Sequence, residues 1–167
     1  MKFYRLLLTV AALAAIFVSC DNGKKELEDR YATLQKQNDS IEQMHSDIQS
    51  AHEKLMASHN EFGEKLKTVE IKDSTMLEKM ARHEAMLKNH ASIFASHEKA
   101  FQGHTELEAD FKNMTDVEME AQLTEMMEHH EKIKKDHSML KDEHAKIEEE
   151  HQAMMKVVDT MKVTEDM

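Results

Sequence analysis

Histidines recur along this chain at intervals of seven residues: His45, His52 and His59; His83, His90, His97 and His104; His130, His137, His144 and His151. Imidazole is the side chain that titrates near neutral pH, and in its neutral form it ligates divalent metals. On one helix a seven-residue step is ~10.5 Å of rise, so two histidines of the same segment cannot share an ion. Three histidines from three segments at one level can. A three-His site with an open fourth position is a zinc geometry, with Zn–N near ~2.0–2.1 Å. Imidazole also suits Cu and Ni. Other metal and nucleophile chemistry lacks its motifs: HExxH, CxxC and CxxCH do not occur, and there is one Cys. Protease, thiolate-zinc and c-type haem functions therefore have no support. Glu42-x-x-His45 and Glu148-x-x-His151 match the carboxylate-bridged di-iron motif. That motif needs four helices with both pairs at one level, and these two histidines fall at different levels.

The elements that position the rings follow from the spacing of the apolar residues. From Leu27 onward an apolar residue or a histidine stands every three or four positions, through Tyr31, Leu34, Asn38, Ile41, His45, Ile48 and on to Val69. The pattern resumes at Met76 and again at Met119, where it runs to Met161. Such sustained heptads predict coiled-coil packing. The chain has no Pro and three Gly, and it is rich in good helix formers. Thr75 with Glu78, and Thr115 with Glu118, make capping boxes at the two breaks. Helices are predicted near 25–70, 75–113 and 116–163.

Their directions can be read from the order of the spacings. In the first and third segments a histidine is followed three residues later by an apolar residue, as in His45 to Ile48 and His130 to Ile133. The second segment reverses this, with His83 to Leu87 four apart and Leu87 to His90 three apart. A helix read backwards exchanges three and four, so the second helix must run antiparallel to its neighbours. The predicted fold is all-α: a long antiparallel three-helix bundle, coiled-coil-like and up-down-up. Folding at the two breaks stacks His45/His97/His137, His52/His90/His144 and His59/His83/His151. Between them lie Ile48/Phe94/Leu140 and Leu55/Leu87/Ile147, and beyond them Phe62/Met80/Met154, Ile41/Phe101/Ile133, Asn38/His104/His130 and Tyr31/Phe111/Leu123. Met76, Met80, Met119, Met126, Met154 and Met161 fit the apolar seam, so core filling is their expected role.

All the histidines but His129 lie on this seam. Two roles stay open for the layers. Three imidazoles can satisfy one another through N–H···N bonds or water and so fix register, since a neutral ring carries one donor and one acceptor. Alternatively, each triad, and the pair His104 and His130, holds a transition metal: Zn, Cu or Ni. An enzyme is not expected, because a narrow bundle offers no cleft of useful volume and no Ser/His/Asp or paired-carboxylate constellation stands out.

Residues 1–20, MKFYRLLLTVAALAAIFVSC, place Lys2 and Arg5 before an apolar run from Leu6 to Val18, with Ser19 before Cys20. This pattern is a secretory signal. Ending at Cys20, it resembles a bacterial lipoprotein signal, with Phe17 where Leu is usual. The resemblance implies removal of 1–19 and lipidation of Cys20, which leaves a short polar tether over 20–25 before the bundle over 26–164. It places the protein in the bacterial envelope, periplasmic or outer-membrane-associated, bound to the membrane through its lipid. The segments Ala51-His52-Glu53-Lys54-Leu55-Met56, Ser96-His97-Glu98-Lys99 and Asp142-Glu143-His144-Ala145-Lys146 further resemble secreted bacterial proteins labelled "viral A-type inclusion protein repeat", a label that implies no activity. A net charge of -11 argues against nucleic acid, which needs a basic stripe. What remains is a structural or interaction module with a protein partner or itself, or a dedicated metal buffer.

Overall fold

The computed structural model describes the backbone of residues 2–68 and 74–165, and side chains within 23–67 and 74–160. Among the described residues there are three α-helices, α1 (Lys2–Thr68), α2 (Ser74–Asp110) and α3 (Asp116–Glu165), with one 3₁₀ turn over Phe111–Asn113. The predicted layers pair rising α1 and α3 numbers with falling α2 numbers, and the observed triads do the same. The bundle is therefore up-down-up, and about 40 residues per helix make it ~60 Å long.

Two boundaries differ from the sequence expectation. The second helix ends at Asp110, and its last turn tightens into the 3₁₀ segment, a common way for a helix to close its orphan carbonyls. Helix α1 already includes residues 23–25, the end of the segment expected to be a tether. Lys24 Nζ donates there to the Lys112 carbonyl at 2.9 Å, which ties this end of α1 to the α2–α3 turn. The Thr115 box forms as expected. Thr115 N–H and Oγ1–H donate to Glu118 Oε2 at 2.8 and 2.7 Å, and Glu118 N–H donates back to Thr115 Oγ1 at 3.4 Å. The α1–α2 turn over 69–73, Val69 and the side chains of Cys20 and Met161 lie outside the described residues.

Apolar layers alternate with polar ones along the axis. Tyr31 stacks on Phe111 with ring centres 4.0 Å apart and caps one end of the core with Leu34, Met119 and Leu123. Ile41/Phe101/Ile133 and Ile48/Phe94/Leu140 follow as separate clusters. Phe62, Leu66, Met76, Met80, Met154 and Val158 close the other end. Leu87 and Ile147 are buried, while Leu55 in the same layer is half-buried. This burial drives the assembly, at about 25 cal/mol per Å² of apolar surface. The clusters are discontinuous because histidine layers separate them.

Candidate metal centre

Three groups of histidines meet in the core: His45/His97/His137, His52/His90/His144 and His59/His83/His151. Within each, one ring nitrogen from every member lies within 4.8 Å of the others. All nine rings are buried except His144, which is half-buried. These are the three triads that the fold-back of the heptads predicts.

Each triad is wired the same way. The α1 ring faces the α3 ring, Nδ1 to Nε2, at 3.3 Å for His45–His137, 3.2 Å for His52–His144 and 3.0 Å for His59–His151. The α2 ring turns its Nε2 to a carboxylate on α3. His97 Nε2 meets Asp136 Oδ2 at 3.1 Å, His90 Nε2 meets Glu143 Oε2 at 2.5 Å, and His83 Nε2 meets Glu150 Oε2 at 2.8 Å. An ionised carboxylate only accepts, so these α2 rings hold their proton on Nε2. Their Nδ1 atoms are then bare lone pairs inside the core, and all three lack a hydrogen-bond partner among the described residues. His45 Nε2, His52 Nε2, His137 Nδ1 and His151 Nδ1 are also buried without a hydrogen bond. His45 Nε2 does lie 3.3 Å from Glu98 Oε1, off hydrogen-bond direction.

Burial opposes the charged form of a ring. It pushes His137 and His151 down to about 4, helped by repulsion from the two other rings of each layer. His144 falls to about 4 for the same reasons. His45, His52 and His59 are lowered, burial first, then the α2 ring of the same layer. His97 is lowered by burial against the opposing pull of Asp136. At neutral pH these rings are neutral, the form that ligates metal.

The donor set fits a metal by two tests. In a tetrahedral zinc site with ~2.0–2.1 Å bonds, neighbouring ligand atoms stand about 3.3 Å apart. The α1–α3 nitrogens stand 3.0–3.3 Å apart, and each full set of three lies within 4.8 Å. Second, a histidine that ligates a metal usually gives its other N–H to a carboxylate, which fixes the tautomer and raises its basicity. Each α2 histidine has that partner. Two of the three carboxylates are themselves held: Lys132 Nζ donates to Asp136 Oδ2 at 2.9 Å, and Arg82 Nη2 to Glu150 Oε2 at 2.9 Å.

The fourth histidine level is built differently. Asn38 stands where α1 places a histidine in the other layers. Its amide donates from Nδ2 to Glu42 Oε1, which turns Oδ1 inward. That oxygen accepts from His104 Nδ1 at 2.8 Å and His130 Nε2 at 3.4 Å. So His104 and His130 meet at an amide oxygen and join no group of three ligands among the described residues.

The heptads reveal the triads, but the supporting groups lie off the seam. Asp136, Glu143 and Glu150 each directly precede the α3 histidine of their layer. This acid–histidine dipeptide, repeated every seven residues, was the readable signal. Glu98, next to His97, had no such repeat. Comparison with family models, with curated proteins and with solved structures finds no match, so the chemistry rests on the layers' own geometry.

Proposed function

We propose that this protein binds transition metal ions in three stacked three-histidine layers, as a non-enzymatic metal-holding bundle. The observation that carries it is the buried, unpartnered Nδ1 of His83, His90 and His97, each backed by a carboxylate on Nε2. Leaving a buried polar atom unsatisfied costs roughly 1–3 kcal/mol. Three repeats of the same orphan, each in tautomeric register, read as ligands. Three helices supply rings from three sides, which suits Zn²⁺, since Cu²⁺ and Ni²⁺ prefer tetragonal sites. The lipoprotein-like start supports a place in the bacterial envelope with Cys20 as anchor, and there the protein would act as a membrane-tethered metal buffer.

The α1–α3 ring pairs favour a second reading, in which N–H···N bonds make the layers register-fixing elements of a structural module. Metal titration of the purified mature protein separates the two. The metal reading expects three equivalents of Zn²⁺ and a raised melting temperature, from a stability gain of about 2.7 kcal/mol per site at a hundredfold excess over Kd. Replacing His52, His90 and His144 together by Leu should remove one equivalent. No bound zinc and no thermal shift would leave the structural module.

A further inference from the structure

In α3, heptad position by heptad position, His129 stands where Asp136, Glu143 and Glu150 stand in the three triads. It also takes their place in space. His104, the α2 ring of the fourth layer, turns its Nε2 to His129 Nδ1 at 3.3 Å, as the other α2 rings turn theirs to carboxylates.

The protons run the opposite way. Asn38 Oδ1 can only accept, so His104 holds its proton on Nδ1. Its Nε2 is therefore a lone pair directed outward, toward the α2–α3 surface. In the triads the α2 lone pair points into the core. Glu42 fixes the amide of Asn38 and so fixes this reversal. His104 and His129 thus bring two nitrogens together at the ligand–ligand distance of about 3.3 Å expected around a tetrahedral ion. His129 is half-buried and reachable from solvent.

The surroundings lead from this pair to the first triad. A groove of about 270 Å³ opens beside it, lined by Gly103, His104, Glu125 and His129. A Cβ on Gly103 would meet nothing within 4 Å, so this wall is open. A second hollow of about 320 Å³ continues along the same α2–α3 seam, sharing Lys99, Ala100 and His129 with the first and reaching His97. Of the lysines along it, Lys132 is held on Asp136 and Lys99 is exposed.

We propose that His104 Nε2 and His129 Nδ1 form a solvent-facing capture site for a divalent transition metal, which passes along the α2–α3 groove to His97 and, as that ring turns from Asp136, into the His45/His97/His137 layer. The aqua ion would exchange waters for the two imidazoles, in a groove that Glu125 also lines. This deepens the metal-binding reading and rests on it for the destination of the ion.

The test uses the full mature protein and Co²⁺ or Ni²⁺ alone. Tetrahedral Co²⁺ in a buried layer absorbs strongly in the visible, whereas a two-imidazole aqua site does not. Paramagnetic Ni²⁺ broadens the ring signals of His129 when it sits beside them. The wild type should show early, fast-exchanging broadening of His129 and slower growth of the tetrahedral Co²⁺ band. In His129→Gln the early broadening of the neighbouring His104 ring should vanish, while the final tetrahedral amplitude stays the same. Loading through a rapid capture equilibrium scales with the affinity of that first site. Perturbing ligand surroundings alone weakens a site about 10–100-fold, so the band should grow at least about tenfold more slowly. Ala100→Leu, which narrows the shared stretch of groove, should keep the broadening and still slow loading.

An unchanged loading rate in His129→Gln overturns the proposal, as does unbroadened His129 in the wild type, which leaves that contact a plain N–H···N bond. A wild type that broadens at His129 but never yields a tetrahedral Co²⁺ band refutes the buried layers instead. The capture pair would then stand without a destination, and the transfer step would be overturned with them.

Discussion

Acidifying the metal-free protein from pH 7.5 to pH 5.5 should lower its melting temperature by at least about 10 °C. His104, His137 and His151 are each almost fully buried and pushed down to about 4. In the unfolded chain the same rings titrate near ~6.5. As pH falls through that value the unfolded state takes up protons that the folded state refuses. Stability is therefore complete above the unfolded pKa, is lost as pH falls below it, and levels off only once the folded rings protonate near 4. One unit below 6.5, the unequal uptake amounts to about 1 kcal/mol per ring, from the 1.36 kcal/mol carried by each pKa unit. The three rings sit in different layers, separated by ~10 Å or more of rise, so their effects add to within a few tenths of a kcal/mol. The sum is about 3–4 kcal/mol, and a domain of this size shifts by about 2–4 °C per kcal/mol. Carboxylates contribute little here, because they titrate mainly below pH 5. Calorimetry in chelator at matched ionic strength measures the shift directly. A melting temperature level from pH 7.5 to 5.5 would refute the argument, since rings that protonate freely are not desolvated.

Three further outcomes are expected. Asp136→Asn keeps an acceptor for His97 but removes the charge, so one of the three metal equivalents should weaken about 10–100-fold while the other two hold; isothermal titration reads this. Thr115→Ala removes the hydroxyl that Glu118 N–H donates to and should destabilise the fold by about 1 kcal/mol, lowering the melting temperature by about 2–4 °C at any pH. Cys20→Ser should release the protein from the membrane fraction or block its maturation; unchanged membrane association would remove the lipid anchor from the proposal.

Heptad spacing, with the capping signals at the two breaks, specified three helices, their antiparallel order and the composition of the histidine layers. The reason is that a helix maps sequence distance to angle and rise by fixed constants, and reversing chain direction exchanges the three- and four-residue steps. With the first break located near Thr75 and the second near Thr115, the triads His45/His97/His137, His52/His90/His144 and His59/His83/His151 follow from counting. What counting cannot supply is the rotation of each ring about its own side-chain bonds. The tertiary structure decides that, because a ring turns toward whichever neighbour on the adjacent helix accepts its proton. Asp136, Glu143 and Glu150 pull the α2 protons outward and leave lone pairs inside. Asn38 pulls the proton of His104 inward and leaves its lone pair facing His129. His104 therefore shares the heptad position of the ligand histidines and points its chemistry the other way. The difference lies in one amide on another helix, 66 residues away in sequence, held in orientation by Glu42.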